Sequence, residues 1–391
     1  MRSSAQRIGW RAVLLVLVVG CGERVPPAAP AGELRLGAVL GETDLVGFAQ
    51  ADEPRAFSFP ADHGAHPAFR SEWWYFTATL ADEADRPLGV QFTMFRQALA
   101  PDGAHAERPP GNRWQTNQVY LAHFAVTDAA AGEHRSHERF ARGHPELAGV
   151  RGDPFRLWLE DWTLESQDAQ TWQLRVNAAE EGAELALALV GPPVLQGEAG
   201  LSRKGAGQAS YYYSMPRIRV AGVVRAAGVE RTVSGSGWLD REWSTSVLSP
   251  GQLGWDWFAL SLDDGRRIML FRLRRADGSR DPFDQGMLSV PGAADRPLAA
   301  ADFEVRPIRE WRDEHGVAWP VAFDVRVGAQ RWSVEAVIDD QRMDTTIRYW
   351  EGLVSVRDAE GARIGRGYLE LTGYDRPGEV PRLEEDRDDR R

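Results

Sequence analysis

Short runs of strand-forming residues recur along this chain between polar, glycine- or proline-containing turns, and no long segment carries helical periodicity. That pattern restricts the fold to an all-β sandwich or barrel, with little helix. Its clearest instance is Asp264-Gly265, which separates two strand-forming runs, Gly254 to Leu262 and Arg266 to Arg274. Such a dipeptide supplies the positive φ angles of a tight hairpin turn. Counting outward from a two-residue turn pairs Leu260 with Met269, Phe258 with Phe271 and Asp256 with Leu273. Asp256 then ends an apolar face, where lost hydration raises a carboxyl pKa and makes a general acid. The alternative is that Asp256 accepts hydrogen bonds from an indole or a loop amide. Trp257 falls on the other, wet face across from Arg272, a cation-π geometry.

Strands are expected from the stretch His66 to Phe76 on to about Leu80, then from Leu88 to Gln97 and Gln118 to Asp128, and in shorter segments to Val190. Gly191 to Gln208, with Pro192, Pro193 and its glycines, reads as a loop over a cavity. Another strand opens at the tyrosine run Tyr211-Tyr212-Tyr213. The stretch from Val233 to Leu273 gathers Trp238, Trp243, Trp255 and Trp257 with Asp240, Glu242 and Asp256, and a domain boundary is placed at its start. Beyond the hairpin lie strands at Phe303 to Pro307, Val317 to Val327, Arg331 to Ile338, Tyr349 to Val356 and Arg363 to Tyr374. With the hairpin they approach the roughly eight strands that close a small barrel.

The chain opens with three arginines before an apolar run too short to span a bilayer, Ala12 to Val19, followed by Gly20-Cys21. This resembles a bacterial lipobox. Residues 1–20 therefore read as a lipoprotein signal peptide, with Cys21 lipidated and Pro/Ala-rich residues 21–45 as a linker. Gly22 at the next position implies the periplasmic face of the outer membrane. Residues 46–232 and 233–375 are the two expected domains, and 376–391 a charged disordered tail. The net charge of −11 becomes −14 without Arg2, Arg7 and Arg11, which removes the electrostatic drive for binding nucleic acid. Cys21 is the only cysteine, so disulfides, cysteine-ligated zinc and a cysteine nucleophile are excluded. There is no phosphate loop around the sole lysine, Lys204, no dinucleotide fingerprint and no GxSxG elbow. No cofactor is called for.

The motifs HPAFRSEWWYFTATL, ASYYYSMPRI, GSGWLDREW, GWDWFALSLDDGRRIMLFRLR and GYLELTGY, in this order, resemble the AttH and carotenoid 1,2-hydratase (hydroxyneurosporene synthase) family, including members labelled predicted secreted hydrolases. The resemblance runs from about His66 to Tyr374. It implies two lipocalin-like antiparallel β-barrel domains with a ligand cavity near where they meet. It also implies hydration, isomerisation or cyclisation of a long isoprenoid or polyene, or a non-enzymatic hydrophobe-binding role beside an ABC transporter. Alkene protonation needs a neutral carboxylic acid, aromatic faces and a dry site. Asp256, Asp240 and Glu242 supply carboxyls; Trp238, Trp243, Trp255 and Trp257 supply faces. The family commonly has His where this chain has Arg241, and Arg241 cannot relay a proton.

Other residues compete for the site. One of Tyr211 and Tyr213 or their neighbour Tyr212 faces inward, because side chains alternate. Trp74 and Glu72 follow from HPAFRSEWWYF, Glu72 either in the site or in a buried salt bridge with an arginine such as Arg96. The Trp cluster is either a cation cage or barrel core. His66, Glu72 and His123 were they to meet would suit a metal, against the reading of a capped turn and a core histidine. Asp240 and Asp256 as a carboxylate pair would instead give a hydrolase.

Overall fold

The structure, a computed structural model, describes residues 45–101, 116–245 and 248–374. The signal peptide, Cys21, most of the linker and the charged tail lie outside the described residues. The fold is all-β: two curled antiparallel sheets form the barrel and half-barrel of a two-domain lipocalin-like protein. Helix among the described residues is confined to the 3-10 turns Ala61–His63 and Ala300–Asp302.

The first sheet has thirteen strands. Its order runs from the edge strand Glu133–Arg142 through Gln118–Asp128, Pro87–Ala98, Ser71–Asp82, Val229–Ser244 and Gln208–Ala226 to Glu181–Leu189 and the shorter strands beyond. The edge strand EHRSHERFAR escapes a sequence reading because it is charged, as exposed edges are to prevent pairing with other chains. The second sheet has ten strands and is centred on Gln252–Leu262, between Arg267–Arg275 and Arg363–Leu371. The expected division at Val233 falls inside the strand Val229–Ser244, which pairs with Ser71–Asp82 from Val233 to Ser244. The chain changes sheets between Ser244 and Gln252 instead.

The hairpin exists, but its register differs by one residue from a two-residue turn. Leu262 N–H bonds Arg266 O, so the loop is Asp263-Asp264-Gly265, with Gly265 at φ 90°. This is the three-residue class, in which a left-handed residue follows the turn. Asp256 consequently faces Arg272 and Trp257 faces Phe271. Gly191 to Gln208 is not simply a loop either, since Leu201–Gly205 pairs with the tyrosine strand.

Three apolar clusters form. One fills the first sheet's interior, one the second's, and a third lies between the sheets, built from Tyr75, Tyr212 and Trp238 of the first and Trp255, Trp257 and Phe271 of the second. The central strands are thus buried on both faces, and Trp257, 5% exposed, is not on a wet surface.

On the first sheet's interior side Glu72 is fully buried and accepts from both Arg241 and Arg96. Burial alone would raise its carboxyl, but Arg241, Arg96 and His66 outweigh that and hold it well below the usual carboxylate range. Removing one member of a buried ion cluster strands the others, at about 3–5 kcal/mol. Glu72→Ala should therefore lower the unfolding free energy measured in urea by that amount with an unchanged m-value; a loss under about 1 kcal/mol would show the cluster to be expendable.

Candidate functional site

The cleft lies in the layer between the two sheets, not inside either curl. The space it encloses is about 50 Å³. Parity along each strand decides which side chains reach it. Val229–Ser244 sends Asp240 and Glu242 to the cleft and Leu239, Arg241 and Trp243 into the first sheet's interior. Ser71–Asp82 likewise sends Trp73 and Tyr75 to the cleft, while Trp74 and Glu72 turn away. Of Tyr211, Tyr212 and Tyr213 it is Tyr212 that lines the cleft. Tyr211 and Tyr213 face the other way, bonded to Glu53 O at 2.9 Å and to His63 Nδ1 at 2.6 Å.

The expected ligand-binding residues therefore divide. Trp255 and Trp257 line the cleft, and Trp238 stands just behind it, its indole donating to Asp240 at 2.8 Å. Trp243, Trp74, Tyr211, Tyr213 and Glu72 belong to the first sheet's interior. Arg241 is sandwiched there, 3.8 Å from the Trp74 ring centre and 4.9 Å from that of Trp243. The notion that His66, Glu72 and His123 share a metal is corrected by the same parity. His66 meets Glu72 and Asp62, whereas His123 faces the other side of the sheet.

Asp256 is the main correction among the candidate acids. It points into the second sheet's interior, accepting from Tyr374 at 2.7 Å and lying 3.1 Å from Arg272 and 3.4 Å from Arg274. Two cations and a phenol make it a structural acceptor, so an Asp240–Asp256 pair across one substrate is ruled out. Strand alternation did place Asp256 with Phe258 and Leu260. What it missed is that the opposite face is equally apolar and carries the cleft.

Asp240 holds the chemistry that sequence reasoning gave to Asp256. It accepts from Ser214 Oγ, from Trp238 Nε1 and, at 2.8 Å, from Tyr212 Oη. Burial pushes its carboxyl up to about 7 against these three bonds, with the charge of Glu242 adding to the rise. Glu242 itself is paired with Lys204 and accepts from Ser210. Lys204 lies 5.4 Å from the Trp73 ring centre and 5.0 Å from that of Phe271, in cation-π range of both.

The second sheet contributes a carboxyl that was not anticipated. Glu370 lines the cleft and accepts from Trp255 Nε1 at 2.6 Å. Across the ladder it faces Glu351, which accepts from Tyr75. Burial pushes Glu370 up to about 7, and Glu351 well above its ordinary range. The charge of Glu370 adds to burial in raising Glu351, because two facing carboxyls without a countercharge disfavour double ionisation. The sequence signal was present in GYLELTGY and YWEGLVSV, each with one acid in an apolar strand. Their contact across strands was not readable.

Against this geometry the comparisons are direct. The AttH-like family matches residues 50–374, and the chain belongs to that family. A crystal structure of a candidate AttH from Nitrosomonas europaea is 36% identical, covering 84% of this chain and 100% of that one, with a TM-score of 0.74. Kievitone hydratase from Nectria haematococca shares the fold at 12% identity, over 84% of this chain and 99% of its own, with a TM-score of 0.61. No curated protein matches the chain.

The raised acids make stability depend on pH. Asp240 and Glu370 ordinarily titrate at 3.8 and 4.5 and do so at about 7 when folded. Between those values the folded chain holds protons that the unfolded chain has released. Their contribution is complete below about pH 4 and is lost as pH rises through about 7. The urea midpoint should fall from about pH 5 to 8, and Asp240→Asn with Glu370→Gln should flatten that slope. An unchanged slope in the double variant would assign it elsewhere.

Proposed function

We propose that this chain is a cell-envelope lipoprotein whose intersheet cleft takes a long apolar molecule and protonates it, as a hydratase or isomerase of an isoprenoid or polyene. The observation that carries this is Asp240, a fully buried carboxyl on the cleft wall whose pKa burial pushes up to about 7. It can hold a proton near neutrality and give it up. Trp73, Trp255, Trp257 and Phe271 line the same cleft, and aromatic faces stabilise a developing tertiary cation while excluding competing water. Tyr212, bonded to both Asp240 and Trp257 Nε1, fixes the acid's orientation. The hydratase in the name of the fungal neighbour accords with this class, though at its identity it shares only the fold.

The test is incubation with lycopene and geranylgeraniol in oxygen-18 water, read by mass spectrometry. Wild type should form an oxygen-18 alcohol, and Asp240→Asn should lose that product by about 10²- to 10⁴-fold while still binding the alkene. Binding by both proteins with turnover by neither would instead establish a carrier, consistent with a role beside an ABC exporter. Release of Cys21→Ala to the soluble periplasmic fraction is expected if Cys21 carries a lipid on the periplasmic face of the outer membrane. Equal membrane retention would remove the anchor from the proposal.

A further inference from the structure

His123 is a fully buried histidine with both ring nitrogens engaged, and the acid chemistry above makes no use of it. It stands on Gln118–Asp128, opposite Glu138 of the neighbouring edge strand. Its Nε2 lies 3.0 Å from Glu138 Oε2, and its Nδ1 lies 2.7 Å from the hydroxyl of Tyr349, a residue of the second sheet that lines the cleft. Three residues from two sheets thus form a line from the cleft wall to the surface, where the Glu138 side chain is 15% exposed. The donors fix its polarity. Glu138 also accepts from Thr346 N at 3.0 Å and from Thr346 Oγ1, so it is an acceptor throughout. His123 must then carry its proton on Nε2, leaving Nδ1 as the acceptor for the Tyr349 hydroxyl. This is the hydroxyl–imidazole–carboxylate order of a base-activated hydroxyl.

We propose that Tyr349, His123 and Glu138 are the base limb of the cleft, deprotonating the water that captures the cation left by Asp240. The inference rests on the reading of Asp240 as the acid. In the step, water forms a C–O bond to the cation and gives one proton to Tyr349 Oη, while the phenol's own proton passes to His123 Nδ1. Glu138 holds the resulting imidazolium, whose proton leaves to solvent, and solvent returns one to Asp240. The sum is alkene plus water to alcohol. Tyr349 touches the reacting water; His123 and Glu138 act through it and are positioning residues. The titration of His123 agrees with this order: burial lowers it, against the raising effect of Glu138, so the ring is neutral and able to accept. The groups facing the limb are Glu138 and Thr346 beside His123, the Phe95 ring against the imidazole, and Glu351 and Glu370 near Tyr349.

The experiment uses the full chain with lycopene in water enriched in both deuterium and oxygen-18. Protonation by Asp240 followed by return of a proton leaves deuterium in recovered lycopene, whereas capture of the cation by water, with loss of a proton to the base, places oxygen-18 in the alcohol. Tyr349→Phe and His123→Gln should keep deuterium incorporation and lose the oxygen-18 alcohol by about 10²-fold. Their melting temperatures should stay within a few degrees of wild type. The rise of wild-type rate with pH that reports the neutral imidazole should be absent in His123→Gln. Equal loss of both labels, or loss of neither, would overturn the base limb while leaving Asp240 as the acid. Absence of both labels in wild type would overturn the acid reading and the base limb together.

Discussion

A strand buried on both faces has no wet side on which to discard polar residues, and that constraint organises this protein. Ser71–Asp82, the 237–244 half of Val229–Ser244, and Gln252–Leu262 each feed alternate side chains into two dry environments. Every charged residue in them must therefore find a partner within the protein. The solution differs by face. Toward the first sheet's interior, Glu72 is surrounded by Arg96 and Arg241. Toward the second's, Asp256 meets Arg272 and Arg274. In both, a carboxylate is matched by cations, which makes it structural.

The layer between the sheets is balanced differently. Its cleft is lined by Asp240, Glu242 and Glu370 but by one cation, Lys204, and that cation is taken by Glu242. Asp240 and the Glu351–Glu370 pair receive hydrogen bonds from hydroxyls and indoles but no countercharge. An unmatched buried carboxyl lowers its free energy by keeping a proton. The same accounting that makes Glu72 and Asp256 inert makes Asp240 and Glu370 proton carriers. Cation supply, rather than burial, separates the two classes, since Glu72, Asp256 and Asp240 are all almost wholly buried yet only Asp240 lacks a cation.

Much of the architecture was legible. Period-two runs placed most strands within a residue or two, and Gln118–Asp128 at its observed bounds. The family motifs carried the two-sheet plan. Asp240, Glu242, Trp255 and Trp257 were named as site residues and line the cleft. What failed did so for identifiable reasons. The turn dipeptide Asp264-Gly265 was compatible with two loop lengths, and the choice shifts the register by one. Alternation showed that Tyr212 and its neighbours point opposite ways, yet with both faces apolar nothing in the sequence distinguished interior from cleft. Glu351 and Glu370 become a pair only through the register of two strands distant from the recognised acids. Lys204 sat in a stretch whose glycines and prolines suggested a loop.

Arg241 shows how far that ambiguity reaches. Beside Asp240 in sequence, where the family commonly has histidine, it reads as the loss of a proton relay. Its side chain, however, leaves the strand on the opposite face from Asp240, and its charge is absorbed by Glu72 between two tryptophan rings. An arginine so held cannot reach the cleft, and replacing a titratable ring there removes nothing from Asp240's own hydrogen bonds to Ser214, Trp238 and Tyr212. Arg241 does supply a fixed cation behind the strand, which holds Glu72 ionised. The proton-bearing carboxyls are confined to the intersheet layer by that division, with the acid and the aromatic walls on the same side of the strand.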